Sequence, residues 1–120
     1  MGRADLHLEE QDPLDREKVT FLVVLELKVL RSNSDGGTQY SDIETKDWVD
    51  KGIKQAGSYK QERGHRVAAL VCFDMRTKDD GDACFDNVQE LAVRMQVALR
   101  RWYLYASSEL CREARASKGT

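Results

Sequence analysis

The sequence lacks the features that identify several specialised classes of protein. It has one proline and three cysteines in 120 residues, and the cysteines have no C-x-x-C spacing, which argues against a disulfide framework and a zinc site. No apolar run approaches the roughly 18 residues that span a bilayer. No signal peptide, glycine-rich phosphate loop or nucleophile elbow is seen. We therefore expect a cytoplasmic protein with reduced thiols and no membrane partner.

Chain length and net charge limit the remaining classes of protein. At 120 residues, with 41% hydrophobic and 33% charged residues, the chain fits one small globular domain over residues 1–120. The net charge is −2, whereas proteins that bind nucleic acid strongly usually have an excess of basic residues. Acidic metal ligands would also lower the net charge, so a nucleic-acid enzyme is not excluded. The C-terminal part is locally basic and is first read as a solvated face: Arg100, Arg101, Arg112 and Arg115.

Two strands are predicted in the first part of the chain. Residues 3–9 alternate, and residues 11–18, which contain the proline, suit the loop of a hairpin. Residues 19–30 are apolar on both sides, so this second strand is expected at the centre of the sheet. A polar loop over residues 31–40 follows.

A helix is predicted after this loop. Ser41 and Glu44 fit a capping box, although Thr45 could equally be the cap. The helix would run to about Glu62, with Gly64 as its stop. Four residues lie near one stripe of this helix: Trp48, Ile53, Ala56 and Tyr59.

The helix leads into a second buried strand at residues 67–73. A right-handed crossover with parallel pairing is therefore expected. Residues 88–95 have helical spacing, and residues 97–105 suit a strand, whereas one helix over residues 86–114 is the alternative. The preferred order is strand, strand, helix, strand, helix, strand, an α/β fold, with a short last helix that opens at Ser107 or Ser108.

Two charged residues interrupt the apolar central strand. Glu26 and Lys28 point to the same side of a strand, while Leu25 and Leu27 point to the other. Two charges on a core-like face are costly unless they are paired or coordinated. A divalent metal on Glu26, with Lys28 beside the reacting group, fits this pattern. An outer face in water or a simple surface ion pair is the alternative.

A third charged residue joins this pair through the hairpin. Pairing of the first two strands could place Asp5 beside Glu26. Two carboxylates repel, so that one takes up a proton, unless a metal such as Mg²⁺ removes the conflict. Lys28 could then stabilise charge that develops on a phosphate. On the helix, Gln55 and Tyr59 are spaced i, i+4 and could border the same cleft.

These segments resemble, in their order, the motifs of the PD-(D/E)xK nuclease superfamily, especially the branch found C-terminal to ATPase-like domains. The resemblance covers residues 2–76 and implies a restriction-endonuclease-like mixed central sheet flanked by helices, which hydrolyses nucleic acid, with DNA expected. The motifs are Gly2-Arg3-Ala4-Asp5, Glu26-Leu27-Lys28, Gln55-Ala56-Gly57-Ser58-Tyr59 and Leu70-Val71-Cys72-Phe73-Asp74. It implies Asp5, Glu26 and the Leu27 carbonyl as ligands of Mg²⁺ or Mn²⁺, Lys28 as catalytic lysine, and Gln55 and Tyr59 as supporting residues.

The chain departs from the family at its start. The family core normally begins with a helix before the aspartate strand, whereas here Met1 and Gly2 stand directly before Arg3. We therefore expect a fragment, or a domain completed by a homodimer partner or an N-terminal domain, because an uncovered sheet face exposes apolar surface. A catalytically inactive module for binding or assembly is the main alternative to a nuclease. A plain α/β domain, in which Glu-x-Lys is coincidental, is the third reading.

The remaining conspicuous residues are read as structural. His7 could be a metal ligand, but a surface or partly buried histidine is expected. Residues 79–82 are expected to be a solvated loop, since they lack the ligand spacing of an EF-hand. Cys72 is expected to be an inert small hydrophobic residue inside a strand. Core or interface packing is expected for the aromatic residues near the C-terminus, Trp102, Tyr103 and Tyr105.

Overall fold

A computed structural model describes residues 5–33, 36–104, 112–113 and 115–116. The described part has an α/β architecture, in which strands and helices follow one another in the predicted order. A short 3₁₀ turn at Gly81–Phe85 is an addition to that order. The elements are β1 (Leu6–Gln11), β2 (Val19–Leu30), α1 (Asp42–Arg63), β3 (Val67–Asp74), α2 (Gln89–Met95) and β4 (Val97–Tyr103).

The strands of the described residues form one mixed, four-stranded sheet in the order β1-β2-β3-β4. β1 pairs with β2 in antiparallel fashion, as a hairpin requires, and β2, β3 and β4 are parallel neighbours. The predicted parallel pairing across α1 is therefore confirmed, and so is the central place of β2.

A break after α2 decides the conformation of the ambiguous C-terminal part. Gln96 has a positive φ of 57°, a left-handed conformation that ends a helix. The chain then continues as β4 beside β3, so the alternative of one helix over residues 86–114 is wrong. The predicted last helix from Ser107 or Ser108, and Tyr105, lie outside the described residues. Of that segment only residues 112–113 and 115–116 are described, and these are helical.

Helix α1 begins and ends at the predicted signals. The hydroxyl oxygen of Ser41 accepts a hydrogen bond from the N–H of Glu44 at 3.1 Å, as in a capping box. Gly64 takes the left-handed conformation at the C-terminal end, with φ 78°, and its N–H donates to the Lys60 carbonyl. The helix therefore extends to Arg63, one residue beyond the prediction.

A single hydrophobic core lies between one face of the sheet and the two helices. Val24 and Leu70 contribute from the strands, and Val49 and Ile53 contribute from α1; all four are fully buried. Trp48 was expected on the apolar stripe, but it is 44% exposed because the neighbouring Val49 fills the core position instead. In the part of the chain that the structure describes, no helix is long and apolar enough to cross a membrane.

The opposite face of the sheet is apolar and in contact with solvent. Neither α1 nor α2 packs there, since both belong to the core on the other side. The strand side chains of this apolar sheet face that remain well exposed are Leu6, Leu8, Leu27, Val29, Val67 and Trp102.

A buried ionic cluster joins the C-terminal ends of β3 and β4. Asp74 is fully buried and accepts hydrogen bonds from Arg76 at 2.9 and 2.7 Å and from Arg101 at 2.9 Å. Burial acts to raise the pKa of Asp74, but the hydrogen bonds from both guanidinium groups outweigh it and lower the pKa below its ordinary value. Arg101, which was expected on a solvated face, is thus held inside the fold and also binds Asp79.

Candidate functional site

The β1–β2 ladder brings Asp5 to the middle of β2. Leu6 pairs with Leu25, so that Asp5, one residue earlier in the antiparallel register, lies opposite Glu26. The Oδ2 atom of Asp5 accepts a hydrogen bond from the N–H of Leu27 at 2.8 Å. The hairpin therefore places the Asp5 carboxylate against the peptide that follows Glu26, as the sequence predicts.

Glu26 lies on the helix side of the sheet and is only 5% exposed. Burial is the main cause that raises its pKa, the negative charge of Asp5 raises it further, and the ammonium of Lys28 lowers it. The net effect is a pKa of about 6 in place of 4.5. The two carboxylates therefore share a site in which a further positive charge would be favourable.

Lys28 extends from the same side of β2 and is 8% exposed. Its Nζ atom lies 4.0 Å from the centroid of the Trp48 ring, which is a cation–π contact. The stem of the lysine passes Gly52, where a Cβ atom would come within 3.3 Å of Cγ and Cε of Lys28 and 2.7 Å of Cδ1 of Leu70. The absence of a side chain at Gly52 thus gives the lysine room beneath α1.

Gln55 and Tyr59 lie further along α1, in the direction that leads from Lys28 towards the hairpin. Oε1 of Gln55 is buried without a hydrogen-bond partner among the described residues, a situation that typically costs about 1–3 kcal/mol. The ring of Tyr59 packs against those of His7 and His65, with centroids 6.1 and 5.4 Å apart. Gln55 therefore offers a free acceptor, whereas Tyr59 takes part in an aromatic cluster.

Trp48 was expected on the apolar stripe of α1, and its contact with Lys28 was missed. It has the i, i+4 spacing with Gly52 that places both on one face of α1, and this spacing was the available signal. An open pocket of about 380 Å³ begins beside Trp48. Its lining is partly apolar and partly polar: Val29, Leu30, Arg31, Tyr40, Glu44, Thr45 and Trp48.

The donor atoms in this region suit a hard cation. Among the described residues, no three His, Cys, Asp or Glu side chains lie together in a way that could hold a metal ion. Asp5 and Glu26 nevertheless supply two carboxylates that lie close enough to affect each other. Gln55 instead lines a pocket along α1 together with Asp47, Asp50, Lys51, Lys54 and Ser58. Mg²⁺ is usually bound by one or two carboxylates together with water and substrate phosphate. The residues present therefore fit Mg²⁺ or Mn²⁺.

Comparison with known proteins assigns the chain to no family. No protein-family model, no curated protein and no solved structure matches it.

Proposed function

We propose that this chain is a metal-dependent nuclease domain that hydrolyses phosphodiester bonds of nucleic acid, with DNA as the expected substrate and a restriction-endonuclease-like fold. The observation that carries the proposal is the pairing of Asp5 with Glu26, on the strand from which Lys28 extends to the same side. The mixed sheet with helices against one face is compatible with this fold.

Each residue of the site would have a separate role. Asp5, Glu26 and the main-chain carbonyl of Leu27 would hold Mg²⁺ or Mn²⁺, and the bound ion would supply an activated water at neutral pH. Lys28 would stabilise the charge that develops on the phosphate oxygens. Gln55 would offer its unpaired Oε1 to the water or to an active-site group, while Tyr59 would support the helix behind it.

Cleavage assays test this proposal directly. Single-stranded DNA, duplex DNA and RNA are incubated with the protein in Mg²⁺ or Mn²⁺, and with EDTA as the blank. We expect metal-dependent cutting that falls at least about 100-fold in Lys28→Ala and in Glu26→Gln, because each removes transition-state charge stabilisation or a metal ligand.

Lys54→Ala provides the matched control. Lys54 is an exposed lysine on α1, so this variant removes the same charge without altering the site and should cleave normally. Equal cutting by the native chain and Lys28→Ala would mean that the activity belongs elsewhere. If neither cuts any substrate, the proposal of a working nuclease fails.

A catalytically inactive module for binding or assembly is the second candidate, and the apolar sheet face favours it. Contiguous exposed apolar surface of this kind is typical of interaction sites. The module would associate with a second chain through this face. Light scattering of the native protein and of Leu8→Lys tests the idea: self-association that Leu8→Lys weakens supports it, and a monomer at every concentration contradicts self-association.

A further inference from the structure

The chain has two histidines, and the fold brings them together. Nδ1 of His7 and Nε2 of His65 are 3.4 Å apart, although the residues are 58 positions apart in the sequence. His7 belongs to β1, where it pairs with Val24 of β2. His65 follows the C-cap of α1 and precedes β3. All imidazole groups of the protein are therefore in one place.

The surroundings hold the two rings in a partly enclosed cluster. His65 is 3% exposed and lies between the rings of Phe21 and Tyr59, with centroids 5.1 and 5.4 Å away. His7 covers this cluster from the solvent side, where it is exposed. Phe21 is opposite Glu9 because the β1–β2 register shifts after Leu8, so a carboxylate is also near the open side of the cluster.

The distance between the two nitrogens is long for a hydrogen bond. N–H donors prefer acceptors at about 2.9–3.0 Å. In contrast, two imidazole nitrogens that bind one tetrahedral ion at about 2.0–2.1 Å each are about 3.4 Å apart. Nδ1 of His65 is buried without a hydrogen-bond partner among the described residues, so Nε2, which faces His7, is the nitrogen of this ring that would bind the ion.

We propose that His7 and His65 together bind a divalent transition-metal ion such as Ni²⁺ or Zn²⁺, with water in the remaining coordination positions. Imidazole nitrogens suit these ions, whereas carboxylate oxygens suit Mg²⁺. The histidine site is therefore chemically distinct from the Asp5–Glu26 pair, and its existence does not depend on nuclease activity.

The structural consequence is a cross-link between β1 and the α1–β3 junction. All six residues of β1 are exposed, and the ladder to β2 attaches this edge strand to the sheet. A metal held by His7 and His65 would add a second attachment. Because Asp5 lies two residues before His7, the same ion would restrict the strand that presents the Asp5 carboxylate.

Calorimetric titration of untagged protein with Ni²⁺ tests the site. The Glu26→Gln variant is the starting protein, so that the carboxylate pair is removed as a competing site. We expect one Ni²⁺ per chain, and affinity at least tenfold lower after the additional change His7→Gln or His65→Gln. Cys84→Ser, which alters a half-buried thiol, is the control and should retain the affinity.

His7→Gln is the decisive variant because His7 is exposed and its loss should leave the fold intact. Amide hydrogen exchange of β1 gives a second readout: Ni²⁺ should slow exchange of residues 6–11 by at least threefold in the starting protein and have no effect in His7→Gln. No Ni²⁺ binding by the starting protein, or unchanged binding in His7→Gln, would overturn the proposal. Cleavage of DNA in Mg²⁺ is scored separately, so either proposal can fail without the other.

Discussion

The ammonium of Lys28 and the ring of Trp48 form a contact of 4.0 Å between β2 and α1. This contact explains how a charged residue is accommodated on the core side of a central strand. The flexible stem lies in the space left by Gly52, and the charged end lies on an aromatic ring that is 44% exposed. Lys28 itself is buried, but its charged end is thereby directed to a partly exposed ring that lines a pocket.

The cation–π contact between Trp48 and Lys28 should contribute measurably to the free energy of unfolding. A double-mutant cycle with Trp48→Leu and Lys28→Met, followed by urea unfolding, should give a coupling free energy of about 0.5–1 kcal/mol. Trp48→Phe should retain part of it. The same cycle with Lys54→Met is the control and should give no coupling. A coupling of zero for Lys28 would show that the contact contributes nothing to stability.

Glu26→Gln should stabilise the protein when no metal is present. The folded state holds the Glu26 proton more tightly than the unfolded chain, because the pKa is raised from 4.5 to about 6. Glu26 therefore leaves the free energy of unfolding unchanged below about pH 4.5. As the pH rises to about 6 it lowers this free energy, and above pH 6 the reduction stays constant at no more than about 2 kcal/mol. With EDTA at pH 7.5, the variant should be more stable than the native chain by up to that amount.

The difference between Glu26→Gln and the native chain is measured by urea unfolding from pH 4 to 8. Millimolar Mg²⁺ should reduce the difference, since it neutralises the carboxylate pair in the native chain and has less to bind in the variant. Glu10→Gln, an exposed change on β1, should leave the pH profile unaltered. A difference that does not vary with pH would contradict the raised pKa.

Gly52→Ala and Gly57→Ala should both destabilise the fold. At Gly52 the new methyl group would meet Leu70, a fully buried side chain, at 2.7 Å, as well as Lys28. At Gly57 it would meet Met95, with Cε at 2.7 Å, Cβ at 3.0 Å and the carbonyl oxygen at 3.4 Å. Overpacking of a rigid site costs about 1–3 kcal/mol, which exceeds the gain of up to about 1 kcal/mol in helix propensity. Thermal unfolding of both variants measures the loss, and a variant as stable as the native chain would contradict the close approach at its position.

Asp74→Asn should be among the most destabilising single changes. It leaves the guanidinium groups of Arg76 and Arg101 without their buried counter-charge, and loss of one partner of a buried ion pair costs about 3–5 kcal/mol. Because the pKa of Asp74 is lowered, its contribution is present above about pH 4 and is lost as the pH falls through the folded-state pKa. Urea unfolding at pH 7 should show the loss, whereas Asp82→Asn, at an exposed position, should change stability by less than about 0.5 kcal/mol.

Local patterns in the sequence were sufficient for most elements and for the pairings of β1 with β2 and of β2 with β3. Val19–Leu30 is a central strand as its apolar run predicts, and Ser41 and Gly64 bound α1 because capping and left-handed stops depend on a few neighbouring residues. The proximity of Asp5 to Glu26 was also predictable, since a hairpin converts sequence spacing into register. The conformation after Gln96 was ambiguous, because pairing with β3 decides it rather than local propensity.

Contacts between distant segments could not be read from any local pattern. Trp48 has the spacing of a core residue, yet the packing of α1 against β2 places it on Lys28 at the surface. His7 and His65 meet because a β1 side chain and the α1–β3 junction are on the same side of the sheet. Periodicity states which side of an element is apolar, but which neighbour occupies that side depends on register and layer packing over the whole domain. The alternation of side chains along a strand thus predicts that Glu26 and Lys28 share one side of β2. Only the packing of α1 against the sheet decides that this side is the buried one.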